Sequence, residues 1–217
     1  MESKIMSADW DQQYKDGQGR YWPAEELVRF LGRHYGSVIE QNAAGLTAVE
    51  IGCGVGGNVR ALAEWGFFTH GLELSSEAIR LGKAYAKRCG FEARVQYTQY
   101  KAPAPIKLPA KSAHVVIDVQ TIQHLDWDDH ANMYEEIHRI LSPRGIFFSV
   151  HWVGNARSAR KIFPQHKELC QLYRRNGFFV VSNLIREAGF DTPYAEIVHK
   201  TYNLHAGKWI IVEAVKA

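Results

Sequence analysis

The densest chemical signal in the chain is the run Val49-Glu50-Ile51-Gly52-Cys53-Gly54-Val55-Gly56-Gly57-Asn58. A β-type run enters a glycine turn, and the turn enters a helix-type run. Gly52 and Gly54 let the backbone bend sharply and approach a ligand. A helix starting after Gly57 presents free N–H groups. Glu73 follows Gly52 by 21 residues, at the end of the next β-type run, where a carboxylate can take both hydroxyls of a ribose. The spacing Gly52-x-Gly54-x-x-Gly57 also fits a dinucleotide fingerprint, so spacing alone does not exclude NAD. Glu50 argues the other way. A carboxylate two residues before the first glycine repels a pyrophosphate and suits a ligand ammonium. A turn that merely joins strand to helix leaves both acids unexplained.

These residues need a scaffold that gathers strand ends, and the remaining pattern supplies one. Strands are expected at 47–52, 67–74, 94–100, 114–119 and 146–150. The run His114-Val115-Val116-Ile117-Asp118-Val119 suits a strand buried on both faces. Helices are expected between the strands: Asn58 to Trp65, a helix capped by Ser76 and running to Cys89, and one capped by Asp126 with Met133, Ile137, Ile140 and Leu141 on its core face. Ser142-Pro143-Arg144-Gly145 reads as a turn. Earlier, Pro23 opens a helix with Glu25 and Glu26 in its first turn and Leu27, Phe30 and Leu31 as its stripe, and Gly36 ends it. Strands alternating with helices mean a parallel sheet covered on both faces. The tail differs. A helix near Val181–Ala188 ends at Gly189, and strand-like runs at 195–202 and 208–215 are too close for a crossover helix, so they pair antiparallel.

The same motifs resemble those of the class I S-adenosylmethionine (SAM)-dependent methyltransferases. Glu50-Ile51-Gly52-Cys53-Gly54-Val55-Gly56 resembles the family's first motif, and Gly71-Leu72-Glu73-Leu74-Ser75 its second. Val115-Val116-Ile117-Asp118 with Ile122-Gln123-His124-Leu125 resembles the fourth. The segment from Glu136 to Gly145 resembles the helix and turn that follow, and Glu187-Ala188-Gly189-Phe190 with the terminal hairpin the closing elements. The resemblance covers roughly residues 40–217. It implies a doubly wound, mostly parallel seven-stranded α/β sheet with an antiparallel C-terminal strand and helices on both faces. It also implies one methyltransferase domain over residues 1–217, with SAM as cofactor and S-adenosylhomocysteine as product. Glu50, Gly52, Cys53 and Gly54 would meet the methionine part, Glu73 and Leu74 the ribose side, and Asp118, Val119 and Gln120 the methionine side beyond the fourth strand. The family often carries an acid for adenine at the end of the third strand. Here Gln99 or Tyr100 stands in that region.

Methyl transfer from a sulfonium is an in-line displacement, so holding the acceptor in line does most of the work, on the order of 7–11 kcal/mol. A base helps when the acceptor is a hydroxyl. His124, a few residues past the fourth strand, is the first candidate, and His151, past the fifth, the second. His124 also reads as a helix-start residue packed on Trp127. Residues 1–40 are expected to form an N-terminal lid and helix. Trp10, Tyr14 and Tyr21 would close over the sulfonium cation, with Trp22 towards the acceptor; ordinary aromatic packing on a sheet edge is the competing reading. Residues 151–178 are expected to cap the acceptor. They carry six basic residues against the single acid Glu168. Trp152, Arg157, Arg160 and Lys161 would bind an anionic acceptor such as a phosphorylated or nucleotide-linked sugar, since Arg groups suit phosphate. A solvated basic face is the plainer alternative.

Composition bounds the rest. The 217 residues are 46% hydrophobic and 23% charged, with a net charge of +3, which is globular and no polycation. No apolar run approaches a membrane span of about 20 residues, and the first residues show no leader peptide. Cys53, Cys89 and Cys170 form no Cys-x-x-Cys pair, and no metal motif is present. A cytoplasmic enzyme acting on a small molecule, without metal, membrane or nucleic-acid partner, is therefore expected, with O-methylation favoured. RNA or protein methylation and a non-catalytic SAM-binding role are the alternatives. Oligomeric state is open.

Overall fold

A computed structural model describes residues 7–40, 45–153, 181–191, 194–202 and 205–216. The chain divides into two compact units, residues 1–104 and 105–217.

The first unit contains α1 (Ser7–Lys15), α2 (Glu25–Glu40), β1 (Thr47–Ile51), α3 (Gly57–Glu64), β2 (Phe68–Glu73), α4 (Ser76–Cys89), a 3-10 turn (Glu92–Arg94) and β3 (Val95–Gln99). Its strands lie parallel in the order β3-β2-β1, with Glu50 beside Gly71 and Glu73 beside Gln99. Val59, Ala63, Tyr85, Phe91 and Tyr97 are buried in one cluster that joins both crossover helices to β3. Burying each large apolar side chain contributes roughly 1.5–3 kcal/mol, so the strand ends are held by the packing beneath them.

Two boundaries depart from the sequence expectation. α2 runs through Gly36 to Glu40. Tyr35 packs edge-on against Phe67 with ring centres 5.0 Å apart, and that contact holds the helix across a weak helix former. The cap of α4 is Ser75, not Ser76. Ser75 has extended dihedrals, and its Oγ accepts from the Ala78 N–H at 3.0 Å. Gly90, at φ 76°, then ends that helix.

The second unit contains β4 (Ala113–Val119), a 3-10 turn (Ile122–His124), α5 (Trp127–Ile140), β5 (Leu141–Val153), helical residues 181–187, β6 (Tyr194–Tyr202) and β7 (His205–Val215). β4 and β5 are parallel, and β7 runs antiparallel to both β5 and β6. The fold is thus α/β, mostly parallel, with an antiparallel C-terminal strand. Val115, Val116 and Ile117 are fully buried, as their unbroken apolar run implies. The terminal hairpin forms as expected but turns more tightly, pairing Tyr202 with His205. Ser142 to Gly145, expected as a turn, lies inside β5. The β4–β5 register slips between Ala113 and Val115, and Arg144 takes a left-handed φ of 63°. The Arg144 N–H donates to the Lys216 carbonyl, and the Lys216 N–H donates to Gly145. Ladder bonding to the chain's last strand turns the kink into a bulge. Among the described residues, no helix is long and apolar enough to cross a membrane.

Candidate functional site

The glycine turn is built from left-handed backbone. Gly52, Gly54 and Gly56 have φ of 67°, 54° and 89°, which only glycine adopts without strain. The Gly52 and Cys53 N–H groups both donate to the Leu72 carbonyl, at 2.7 and 3.0 Å, pinning the turn to β2. Glu73 braces it further. Its Oε2 accepts from the Gly54 N–H and its Oε1 from the Ser75 N–H, each at 2.8 Å. Burial raises the Glu73 pKa, and those N–H groups oppose the rise. A carboxylate oxygen has two lone pairs, so both oxygens keep capacity for a hydroxyl. Glu50 is also buried, and its Oε1 accepts from Asn58 Nδ2 at 2.7 Å. Two acids therefore flank one turn, each held by the protein.

The N-terminal segment lies directly on this turn. A Cβ on Gly54 would meet the Tyr14 hydroxyl at 2.9 Å, and one on Gly57 would meet the carbonyl oxygens of Arg20 and Trp22 at 2.5 and 2.7 Å. Burial pushes the Tyr14 phenol upward, and the Glu73 charge adds to this. The Tyr85 hydroxyl donates to the Tyr21 carbonyl at 2.7 Å. Asp11 fastens α1 to the start of α4. Its Oδ1 accepts from Ser75 Oγ at 2.5 Å and from the Glu77 N–H at 3.1 Å, an anion at the positive end of a helix. Those hydrogen bonds lower the Asp11 pKa. Trp10 is half-buried. Trp22 is 73% exposed, with the Arg60 guanidinium 5.5 Å from its ring centre. Gln99 donates from Nε2 to the Leu74 carbonyl at 3.2 Å, and the Tyr100 hydroxyl donates to Ala104 at 2.6 Å.

In the second unit, Asp118 is fully buried. Its Oδ1 accepts from the Thr121 and Ile122 N–H groups at 2.9 and 3.1 Å, and its Oδ2 accepts from Ser149 Oγ at 2.8 Å. Burial pushes its pKa up to about 6, against those three bonds. The carboxylate shapes the loop that carries Val119, Gln120 and His124. Gln120 has a left-handed φ of 70°, and its N–H donates to Val150. His124 ends the 3-10 turn with an exposed edge, yet packing removes enough water to lower its pKa. His151 is fully buried, and burial lowers its pKa to about 3. His130 lies beside it with ring centres 6.0 Å apart, lowered to about 4 by the same cause.

Three contributors were not picked out from the sequence. His130 precedes Met133, Tyr134 and Ile137 at helical spacing on the buried face of α5, a readable signal. Asn58, in the first turn of α3 beside the glycines, was also readable. Asp11 gives no local signal. The side chain of Trp152, and Arg157, Arg160 and Lys161 entirely, lie outside the described residues. Among the described residues, no group of three or more His, Cys, Asp or Glu is placed to hold a metal ion.

Residues 48–145 match a family model described as a methyltransferase domain. The sterol 24-C-methyltransferase of Yarrowia lipolytica is 25% identical over 215 residues, covering 90% of this chain and 55% of that protein. The Haemonchus contortus phosphoethanolamine N-methyltransferase 2, solved with phosphomonomethylethanolamine and S-adenosylhomocysteine, superposes with a TM-score of 0.69 at 18% identity. The alignment covers 99% of this chain and 59% of that one. The geranyl diphosphate C-methyltransferase of Streptomyces coelicolor, solved with Mg2+, geranyl diphosphate and S-adenosylhomocysteine, gives a TM-score of 0.62 at 15% identity over the whole of both chains. The chain spans about half the length of the sterol methyltransferases it matches.

Proposed function

We propose, from the premise that residues 48–145 are a methyltransferase domain of the class I SAM-dependent family, that the chain moves a methyl group from SAM to a small anionic acceptor. The observation that carries this reading is the pair of buried acids, Glu50 and Glu73, fixed around a left-handed glycine turn. The residues fit the cofactor. The Glu73 oxygens keep lone pairs for two ribose hydroxyls, and Glu50 offers a negative charge to an ammonium. Gly52, Cys53 and Gly54 allow close approach, and Leu74, Gln99 and Tyr100 follow on the adenine side. When bound, SAM supplies a methyl group already activated by its sulfonium. The protein's part is to bind, orient and exclude water. Tyr14 lies against Gly54, and with Trp10 and Tyr21 it belongs to the segment assigned to cover the cofactor. Val119 and Gln120 are assigned to its methionine part, with Asp118 setting their loop.

His124 is the preferred base. Its lowered pKa keeps the ring neutral, and so able to accept a proton, at pH 7. His151 stands second because it is wholly buried. Oxygen is the favoured acceptor atom, since a hydroxyl gains most from a base. Arg157, Arg160 and Lys161 are assigned to the acceptor's anionic group, with Trp22 and Trp152 as apolar walls. Nitrogen is the second reading. The Haemonchus enzyme's ligand, phosphomonomethylethanolamine, joins a phosphate to an amine, and its phosphate is the kind of anion the basic segment suits.

Turnover of SAM to S-adenosylhomocysteine tests this, using a panel of sugar phosphates, phosphoethanolamine, geranyl diphosphate and, as a neutral control, a sterol. Product with a phosphorylated acceptor is expected. Replacing Arg160 and Lys161 by Gln should raise its KM at low salt, with the effect shrinking at high salt. His124→Ala should lower kcat by roughly 100-fold with little change in SAM affinity. Turnover of the sterol alone would overturn the anionic-acceptor reading, and binding without any turnover would favour a non-catalytic role.

A further inference from the structure

We infer that Asn58 is a positioning residue that sets Glu50 for the amino-acid end of the cofactor and joins that grip to the segment covering the turn. This rests on the cofactor reading above. Asn58 is the second residue of α3 and is 7% exposed. Its carboxamide is engaged at both ends: Nδ2 donates to Glu50 Oε1 at 2.7 Å, and Oδ1 accepts from the Ala24 N–H at 2.8 Å. The two partners make opposite demands. A carboxylate only accepts and a backbone N–H only donates, so a side chain carrying both functions at this reach answers both. Asp in this place offers no donor and sets a second anion against Glu50.

The bond to Oε1 fixes the plane of a carboxyl group whose terminal torsion is otherwise broad. Glu50 is the penultimate residue of the buried strand β1, two residues before Gly52, and its side chain is aimed by Asn58. The other half of the amide reaches the covering segment. Ala24 follows the Arg20 and Trp22 carbonyls, which lie so close to Gly57 that a methyl group there would meet both. One side chain thus bridges the acid assigned to the ligand ammonium and the backbone that lies on the turn. Loss of the bridge removes the Asn58 restraint on Glu50 and loosens the cover at Ala24, while Glu73 keeps its own bonds to Gly54 and Ser75. The expected defect is therefore confined to the amino-acid half of the ligand.

Calorimetry with two ligands separates this role from a structural one. S-adenosylhomocysteine carries the amino-acid group, and 5′-methylthioadenosine keeps the adenosine without it. Asn58→Ala is expected to weaken S-adenosylhomocysteine roughly tenfold and to leave methylthioadenosine within about twofold of wild type. Asn58→Asp should weaken S-adenosylhomocysteine more, through repulsion of Glu50. Equal weakening of both ligands, or no change in either, would overturn the assignment of Asn58 while leaving the cofactor reading intact. Wild-type protein that binds neither ligand would overturn the cofactor reading and this inference with it. Should neither variant fold, the Asn58 side-chain amide resonances of the wild type carry the same test. They should shift with S-adenosylhomocysteine and stay put with methylthioadenosine; equal shifts would contradict the assignment.

Discussion

The glycine turn of the first unit and the histidine pair of the second place ionisable groups in the protein interior by opposite means. At the turn, Glu73 is met by backbone N–H groups of Gly54 and Ser75, and Glu50 by the Asn58 amide. Burial pushes the Glu73 pKa up, and the donors resist. At the pair, desolvation prevails. His130 and His151 are held well below the usual imidazole range, to about 4 and about 3. The Leu125 and Ile122 backbone bonds to His130 pull weakly the other way. One region surrounds its buried carboxylates with hydrogen-bond donors; the other keeps two rings neutral so that the core can hold them.

The largest expected effect breaks this contrast with acid. An imidazole whose folded pKa lies below its unfolded value of about 6.5 takes up its proton only when the chain unfolds, so stability falls as pH drops below that value. Asp118 opposes the trend. Its folded pKa of about 6 lies above the ordinary 3.8, so the native state gains stability as pH falls between those values. Two imidazoles against one carboxyl leave a net loss on the order of 2 kcal/mol between pH 7 and pH 5. Denaturant melts at the two pH values measure it, and His130→Leu should remove most of the difference, since Asp118 then nearly offsets His151. An equal loss in wild type and His130→Leu would show that the pair does not set the acid limit.

Gly57→Ala attacks the other region. Its Cβ would meet two backbone carbonyls, which cannot rotate away. A stability loss of about 1–3 kcal/mol is expected, together with weaker S-adenosylhomocysteine binding, read by thermal melts and calorimetry. Unchanged melting and binding would mean that the covering segment does not lie on the turn. Asp11→Ala comes next, at about 1 kcal/mol for loss of a helix-end anion and cap, with little effect on the acid dependence. The smallest effect has the opposite sign. Gly32 lies inside α2 with open space around it, so Gly32→Ala should stabilise by about 0.5–1 kcal/mol.

The same contrast explains what could be read from sequence. The turn is local: strand, glycines, helix start and second acid fall within 25 residues, from 49 to 73, and each residue type there answers a backbone requirement. The parallel pairing of β1, β2 and β3, the buried run of β4 and the antiparallel hairpin followed from period and gap length. What failed to show depends on packing between distant segments. Gly36 ends nothing because Tyr35 meets Phe67. The turn at Ser142 to Gly145 is a bulge because the last strand bonds to it. Ser75 outranks Ser76 as the cap of α4 because Glu73 already holds the Ser75 N–H, and the Ser75 hydroxyl also serves Asp11, 64 residues earlier. His151 and His130 meet across 21 positions, and nothing in either sequence neighbourhood announces the other.

The central claim is that Glu50 and Glu73 make the glycine turn a SAM site rather than a dinucleotide site, although its spacing fits both. Thermal melting of the wild-type protein with saturating S-adenosylhomocysteine, and separately with NAD, tests it most directly. A ligand at 100 times its Kd adds about 2.7 kcal/mol to the folded state. S-adenosylhomocysteine should therefore raise Tm by several degrees while NAD leaves it unchanged. A rise with NAD and none with S-adenosylhomocysteine would contradict the account.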